Sequence, residues 1–167
     1  MKRLATLVLM ALMLPLITLG QSQAVEDFQN KYKDDRDASF VTIQGSLFNF
    51  VASIADVDDD PDAQAIGRIA DGIDAMQVLS VPYFEADVSK ADVSNLKSSL
   101  KKEKYESLMS VKDGKEFVDV MAKGSGSKLS DIIIMVDNRE QFTLISLDGS
   151  LSMEDLSYLS KNHKDWH

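Results

Sequence analysis

Residues 115–151 read KEFVDVMAKGSGSKLSDIIIMVDNREQFTLISLDGSL, and this stretch decides the fold. Three apolar runs stand in it, at 117–121, 132–136 and 142–147. Each is short, rich in β-branched and aromatic residues and bounded by turn residues, which marks strands rather than a helix. Gly124-Ser125-Gly126-Ser127 joins the first run to the second, and Asp137-Asn138-Arg139 the second to the third. The run from Ile132 to Val136 has no polar residue on either side of a pleat, so a central strand covered on both faces is expected. Just upstream, residues 105–111 alternate, and Asp113-Gly114 is a two-residue hairpin signal. Four consecutive strands with short connections predict an antiparallel meander. Its expected edge is 117–121, where Glu116 and Asp119 would discourage promiscuous pairing.

Working outward, helical spacing replaces strand alternation. Val25, Phe28 and Tyr32 suit a short helix, and residues 40–44 a strand ended by Gly45. Leu47, Phe50, Val51 and Ile54 form one face of a helix opening at Ser46, and that face is expected to be buried. Asp60-Pro61 starts another helix, with Ile66, Ile69, Ala70 and Ile73 on one side. Residues 76–81 read as a strand closed by Pro82. Ser89 with Asp92 makes a capping box for a helix burying Val93, Leu96 and Leu100. The strand–helix–strand unit over 76–111 predicts a parallel or crossover neighbour. Ser152 with Asp155 caps a last helix carrying Met153, Leu156 and Leu159. The fold class is α+β: a mainly antiparallel sheet with a C-terminal four-strand meander and helices packed on one face.

The N-terminus speaks to compartment. Met1-Lys2-Arg3 is basic, residues 4–19 are apolar and uncharged, and Ser22-Gln23-Ala24 offers small residues at a cut. This order predicts a signal peptide over 1–24, cleaved after Ala24, with export to the periplasm or the extracellular space. A single α+β domain is expected over 25–161, followed by a polar tail over 162–167. All 27 Asp and Glu but only 16 of the 18 Lys and Arg lie after residue 24, so that part carries a net charge of −11. Such acidity disfavours nucleic acid or anionic lipid as a partner. The absence of cysteine rules out disulfides and lipid attachment through a thiol, so no stable membrane anchor is expected after cleavage.

The chemistry-bearing residues are sparse. Acids at 56, 58 and 60 match the first ligand positions of a calcium loop. Pro61 and Gly67 then stand where that loop needs Gly and Glu, so the stretch reads as a solvated loop and helix cap. Gly124 to Lys128 matches neither a phosphate-binding loop nor a nucleophile elbow and reads as a hairpin connection. The histidines, His163 and His167, both lie in the tail, a poor place for a rigidly held base. The carboxylate pairs Glu103 with Glu106 and Asp34 with Asp35 carry no pattern that separates acid–base work from surface charge. Met76, Met109, Met121, Met135 and Met153 sit in apolar runs and read as core filling. No catalytic, cofactor-binding or metal-binding residue is singled out, and an enzyme is not expected. The reading is a non-catalytic binding or interaction domain of the cell envelope, its partner an envelope protein or a small ligand. The alternative is a carboxylate-dependent enzyme, with or without a divalent cation.

The segment from Tyr105 to Gly114, the strand 142–147 with its following Asp148-Gly149, and Gly72-Ile73 leading into Val78-Leu79-Ser80 together resemble a family of exported bacterial proteins known as a domain of unknown function. The resemblance spans 28–159. It implies a small exported domain of Gram-negative envelopes, lipid-anchored in some relatives. The missing attachment cysteine sets this chain apart from those. The resemblance brings no catalytic residues with it.

Overall fold

The computed structural model describes residues 22–56, 60–84 and 88–162. The proposed signal segment up to residue 21 and both histidines therefore lie outside the described residues. In chain order the elements are α1 (Gln23–Tyr32), β1 (Ser39–Gln44), α2 (Gly45–Ala55), α3 (Pro61–Asp71), β2 (Ile73–Pro82), α4 (Lys90–Lys102), β3 (Glu106–Asp113), β4 (Glu116–Ser125), β5 (Lys128–Asp137), β6 (Gln141–Ser152) and α5 (Met153–Asn162). The six strands form one sheet in the order β1-β2-β6-β5-β4-β3, every neighbouring pair antiparallel. The fold is α+β, and β3 to β6 are the expected meander.

Local chemistry sets the element ends. Ser89 accepts from the Asp92 amide at 3.2 Å while Asp92 accepts from the Ser89 amide at 3.0 Å, the reciprocal bonds of a capping box. Asp60 caps α3 by accepting from the Asp62 amide at 3.0 Å, with Pro61 beginning the helix. Ser152 accepts from the Glu154 and Asp155 amides at the start of α5. Helix α2 departs from expectation: it opens at Gly45 rather than Ser46, and its cap residue Gln44 makes no side-chain cap bond. Gly45 begins the helix directly after β1, where a Cβ would lie 2.7 Å from the Asp74 carbonyl oxygen.

Alternation along the strands gives the sheet two unlike sides. On one side lies the main core. Leu79 and Val81 of β2, Phe142 and Leu144 of β6, Ile133 and Met135 of β5 and Met121 of β4 are buried under α1 and α4. Helix α1 contributes Val25, Phe28 and Tyr32, and Phe28 meets Phe142 edge-on at 5.4 Å. Helix α4 contributes Leu96 and Leu100 as expected, and each fully buried side chain of that size stabilises by about 1.5–3 kcal/mol.

Three expectations need correction. Helices on one face describes α1 and α4, but Ile69 of α3 and Leu156 of α5 pack against Ile132, Ala122 and Leu151 on the other side, closing one end of it. The crossover from β2 through α4 does deliver β3 in the direction of β2. Three strands intervene, however, because β6 takes the place beside β2 and sets Leu144 against Leu79 and Phe142 against Val81. Finally, β4 is not an edge: it is paired on both sides, and β1 and β3 are the edges. Asp119 guards no edge. It is fully buried.

Candidate functional site: an open apolar face

The second side of the sheet carries a row of cross-strand partners running through all six strands. Val41 pairs with Val78, Val78 with Ile145, Ile145 with Ile134, Ile134 with Val120 and Val120 with Met109. All six side chains are apolar and none is fully buried. The ends are openly exposed, Val41 at 48% and Met109 at 50%. A parallel row runs through Thr143, Val136, Val118 and Val111, the last 45% exposed. Helices α3 and α5 close the end of the face near Ile132 and Leu147, Val120 and Ile134 pack against the cluster they form, and among the described residues the face is openly exposed toward Val41 and Met109.

Helix α2 carries further exposed apolar side chains. Leu47, Phe50, Val51 and Ile54, expected to be its buried stripe, are 52, 62, 39 and 58% exposed. The cause is how α2 meets α3. A Cβ on Gly67 of α3 would come within 2.8 Å of the Ala55 Cβ, so the two helices close through small residues. Ala52 is the buried residue of α2, and the large side chains are left outside. Ile66 of α3 is likewise 43% exposed. Exposed apolar patches are a common feature of interaction sites. Met109 and Met153 belong to this exposed class and not to the core, whereas Met121 and Met135 are buried as expected.

Polar groups collect beneath the helices of the other side. Asp119, buried in β4, accepts from the Ser107 hydroxyl at 3.0 Å and forms an ion pair with Lys97 of α4. Lys97 also lies 5.2 Å from the centre of the Phe117 ring. At the end of the sheet, near its register shifts at 122/123 and 130/132, Asp131 and Asp148 come together. Burial raises Asp148 to about 6, helped by the negative charges of Asp131, Asp74 and Glu26. Burial also raises Asp131, against the opposing pull of Lys123. Tyr105 is 3% exposed and lies above the ordinary phenol range, chiefly through burial. The recess bordered by Asp131 and Asp148 has no room for a water molecule, while both residues are themselves partly exposed.

The pairs considered from sequence do not assemble. Glu103 accepts from the Ala24 amide at 2.9 Å, while Glu106 is exposed on β3. Asp35 accepts from the Asp37 amide and Asp34 points to solvent. The calcium-like stretch passes through residues 57–59, outside the described residues. Gly124 to Lys128 is the expected turn between β4 and β5, with Gly126 at φ 66°. It borders an open groove of about 490 Å³ that Lys104, Lys123 and Lys128 share with Glu103. A second cleft, of about 330 Å³, lies between Lys90, Lys112, Lys115 and Arg139, with Glu116 and Asp137 among its walls. Among the described residues, no group of three or more acids or histidines is placed to hold a metal ion, and no helix is long and apolar enough to cross a membrane.

The family described as Domain of unknown function (DUF4252) matches residues 32–159, and the chain belongs to it. No curated protein and no solved structure matches the chain. Two of the segments that carry the family resemblance turn out to be spatial neighbours. Ile73 pairs with Gly149, and the Ser150 amide donates to the Gly72 carbonyl at 2.7 Å.

Proposed function

We propose that this is a non-catalytic interaction domain of the cell envelope that binds through the open apolar side of its sheet. The observation that carries the reading is the six-strand row from Val41 to Met109, apolar throughout, openly exposed at both ends and partly exposed between them. A sheet with one apolar side needs a second layer against that side, and among the described residues α3 and α5 supply it at one end. Export follows from the basic, apolar, small-residue order of residues 1–24, with Val25 as the first residue after the cut. A photoreactive residue at Met109, introduced in living cells, is expected to trap one dominant adduct. The same probe at Lys101, on the solvent side of α4, is expected to trap none. Equal trapping at both positions, or at neither, would sink the reading.

A carboxylate-dependent enzyme remains the second reading, because Asp148 titrates near 6 beside Asp131. The recess between them is closed to water, so this reading requires a substrate to approach from the partly exposed side of the two carboxylates. Turnover of any substrate abolished by Asp148→Asn would establish it.

A further inference from the structure

We infer that the groove beside the turn between β4 and β5 binds a small tetrahedral dianion, the phosphate or sulfate group of a monoester. The inference stands apart from the apolar face, because these side chains belong to the other side of the sheet. Lys123 follows the core residue Met121 by two positions in β4, and its ammonium lies 4.6 Å from the centre of the Tyr105 ring, itself part of the main core. Lys123 pairs with Ser130 of β5, and Ser130 with Ser150 of β6. The three side chains therefore form one row across strands spaced about 4.8 Å apart. Lys128 stands two residues before Ser130 on the same side of β5. Lys104 joins them from the turn after α4, and Glu103 completes the wall.

These donors have no use inside the fold. Acids outnumber Lys and Arg by 27 to 18, and Lys31, Arg36, Arg68 and Lys97 each form an ion pair. Among the described residues, Lys104, Lys123 and Lys128 form none, and the Ser130 and Ser150 hydroxyls make no hydrogen bond. Lys123 is partly buried and rests on the Tyr105 ring, so its charge is in place before a ligand arrives. Three lysines against one glutamate give the lining a charge of +2 in a chain of −9. Glu103 is engaged by the Ala24 amide. A charge of +2 matches a dianion, and three ammoniums with two hydroxyls offer more donors than the two oxygens of a carboxylate use well. The volume of about 490 Å³ falls in the small-ligand class of about 300–1,000 Å³, enough for a glycerol- or sugar-sized monoester. Asp131, next to Ser130, and Asp148 beside it oppose the anion and weaken its hold.

Inorganic sulfate titrated into the purified protein should shift the amide resonances of Lys123, Ser130 and Ser150 along a saturable curve, with a midpoint on the order of 1 mM. Glycerol 3-phosphate should move the same signals. Lys123→Met should weaken both about tenfold. Lys128→Gln, at an exposed position, should weaken them several-fold with melting unchanged. Asp131→Asn should tighten them, and Lys112→Gln, in the other basic cleft, should leave them unaltered. Vesicles carrying phosphatidic acid separate the two sources of a monoester. Sedimentation with them, lost in Lys128→Gln, would assign the group to a lipid headgroup. Binding of glycerol 3-phosphate without the vesicles would assign it to a soluble ligand. Shifts that grow linearly with sulfate overturn the inference, as does binding that Lys123→Met and Lys128→Gln both leave intact. The Met109 crosslink reads the opposite side of the sheet, so either proposal can fail without the other.

Discussion

Ile134 of β5 and Ile145 of β6 face each other across the two middle strands of the sheet, on the side away from α1 and α4. Both are partly exposed. Their immediate neighbours Ile133 and Leu144 are buried on the opposite side, at 1 and 0% exposure. One residue of register thus separates the main core of this molecule from its open surface.

That separation predicts a contrast between adjacent substitutions. Ile133→Asp places an unpaired charge in the core beside Met121 and Ser146, its partners in β4 and β6. Burying such a charge costs several kcal/mol against a total stability of about 5–15 kcal/mol, so the domain should unfold. Ile134→Asp leaves the carboxylate partly hydrated and should lower the melting temperature by much less. Thermal unfolding followed by circular dichroism distinguishes the two. Equal losses would mean that the side carrying Ile134 is covered as deeply as the core.

The apolar run 132–136 was legible as a strand, and the meander and the Ser89–Asp92 capping box followed from local patterns of the same kind. What composition could not show is which side of that run is covered. Ile133 and Ile134 are identical residues, and their difference comes from α1 and α4 lying on one side. The stripe Leu47, Phe50, Val51 and Ile54 failed for a related reason. Helical spacing reports an apolar face but not its partner, and α2 found its neighbour through Ala52 and Ala55 instead. Asp148 and Asp131 escaped notice because they are distant from Asp74 and Glu26 in sequence or separated by strands, and sheet register alone assembles them.

Lys97 and Asp119 form a second test. Lys97→Met leaves the Asp119 carboxylate, 1% exposed at its side chain, with the Ser107 hydroxyl as its remaining bond among those described. Stranding a buried charge costs about 3–5 kcal/mol, and the one-third exposure of Lys97 lowers the expected loss to about 2 kcal/mol. Replacing both, as Lys97→Met with Asp119→Leu, should restore most of the stability, since a buried pair gains little over well-packed apolar groups. Urea unfolding of the three variants measures this. A double variant as weak as Lys97→Met would show that the pair is needed for packing as well as charge.

Gly149 is the backbone position with least tolerance. Its φ of 152° disfavours side chains, and a Cβ would come within 2.1 Å of the Gly72 carbonyl oxygen. That oxygen accepts from the Ser150 amide and holds the start of β2 against β6. Gly149→Ala should therefore push the strands apart and cost about 3 kcal/mol or more. Gly114→Ala has an open surrounding and a turn conformation at φ 51°, so about 1 kcal/mol is expected there. Chemical denaturation should rank them in that order. A smaller loss at Gly149 would mean that β2 and β6 can separate locally without penalty.

Asp148 has its carboxyl raised from the usual carboxylate range to about 6, first by burial and then by Asp131, Asp74 and Glu26. A raised carboxyl means that the folded protein holds a proton that the unfolded chain has released between about pH 4 and 6. Stability from this group therefore falls as pH rises through that window and stays lower above it. Below about pH 4 both states are protonated and the effect vanishes. Asp148→Asn removes the titration. The variant should be more stable than the parent at pH 7, by about 1 kcal/mol once the partial solvation of the site is allowed for. The advantage should shrink through pH 6 to 4 and disappear below. Asp131 faces the same group, so Asp131→Asn should lower the midpoint of this effect by relieving part of the repulsion. Urea unfolding at a series of pH values reads both. An Asp148→Asn variant whose advantage persists unchanged at pH 3.5 would show that the gain comes from a new amide hydrogen bond and that the carboxylate is not strained.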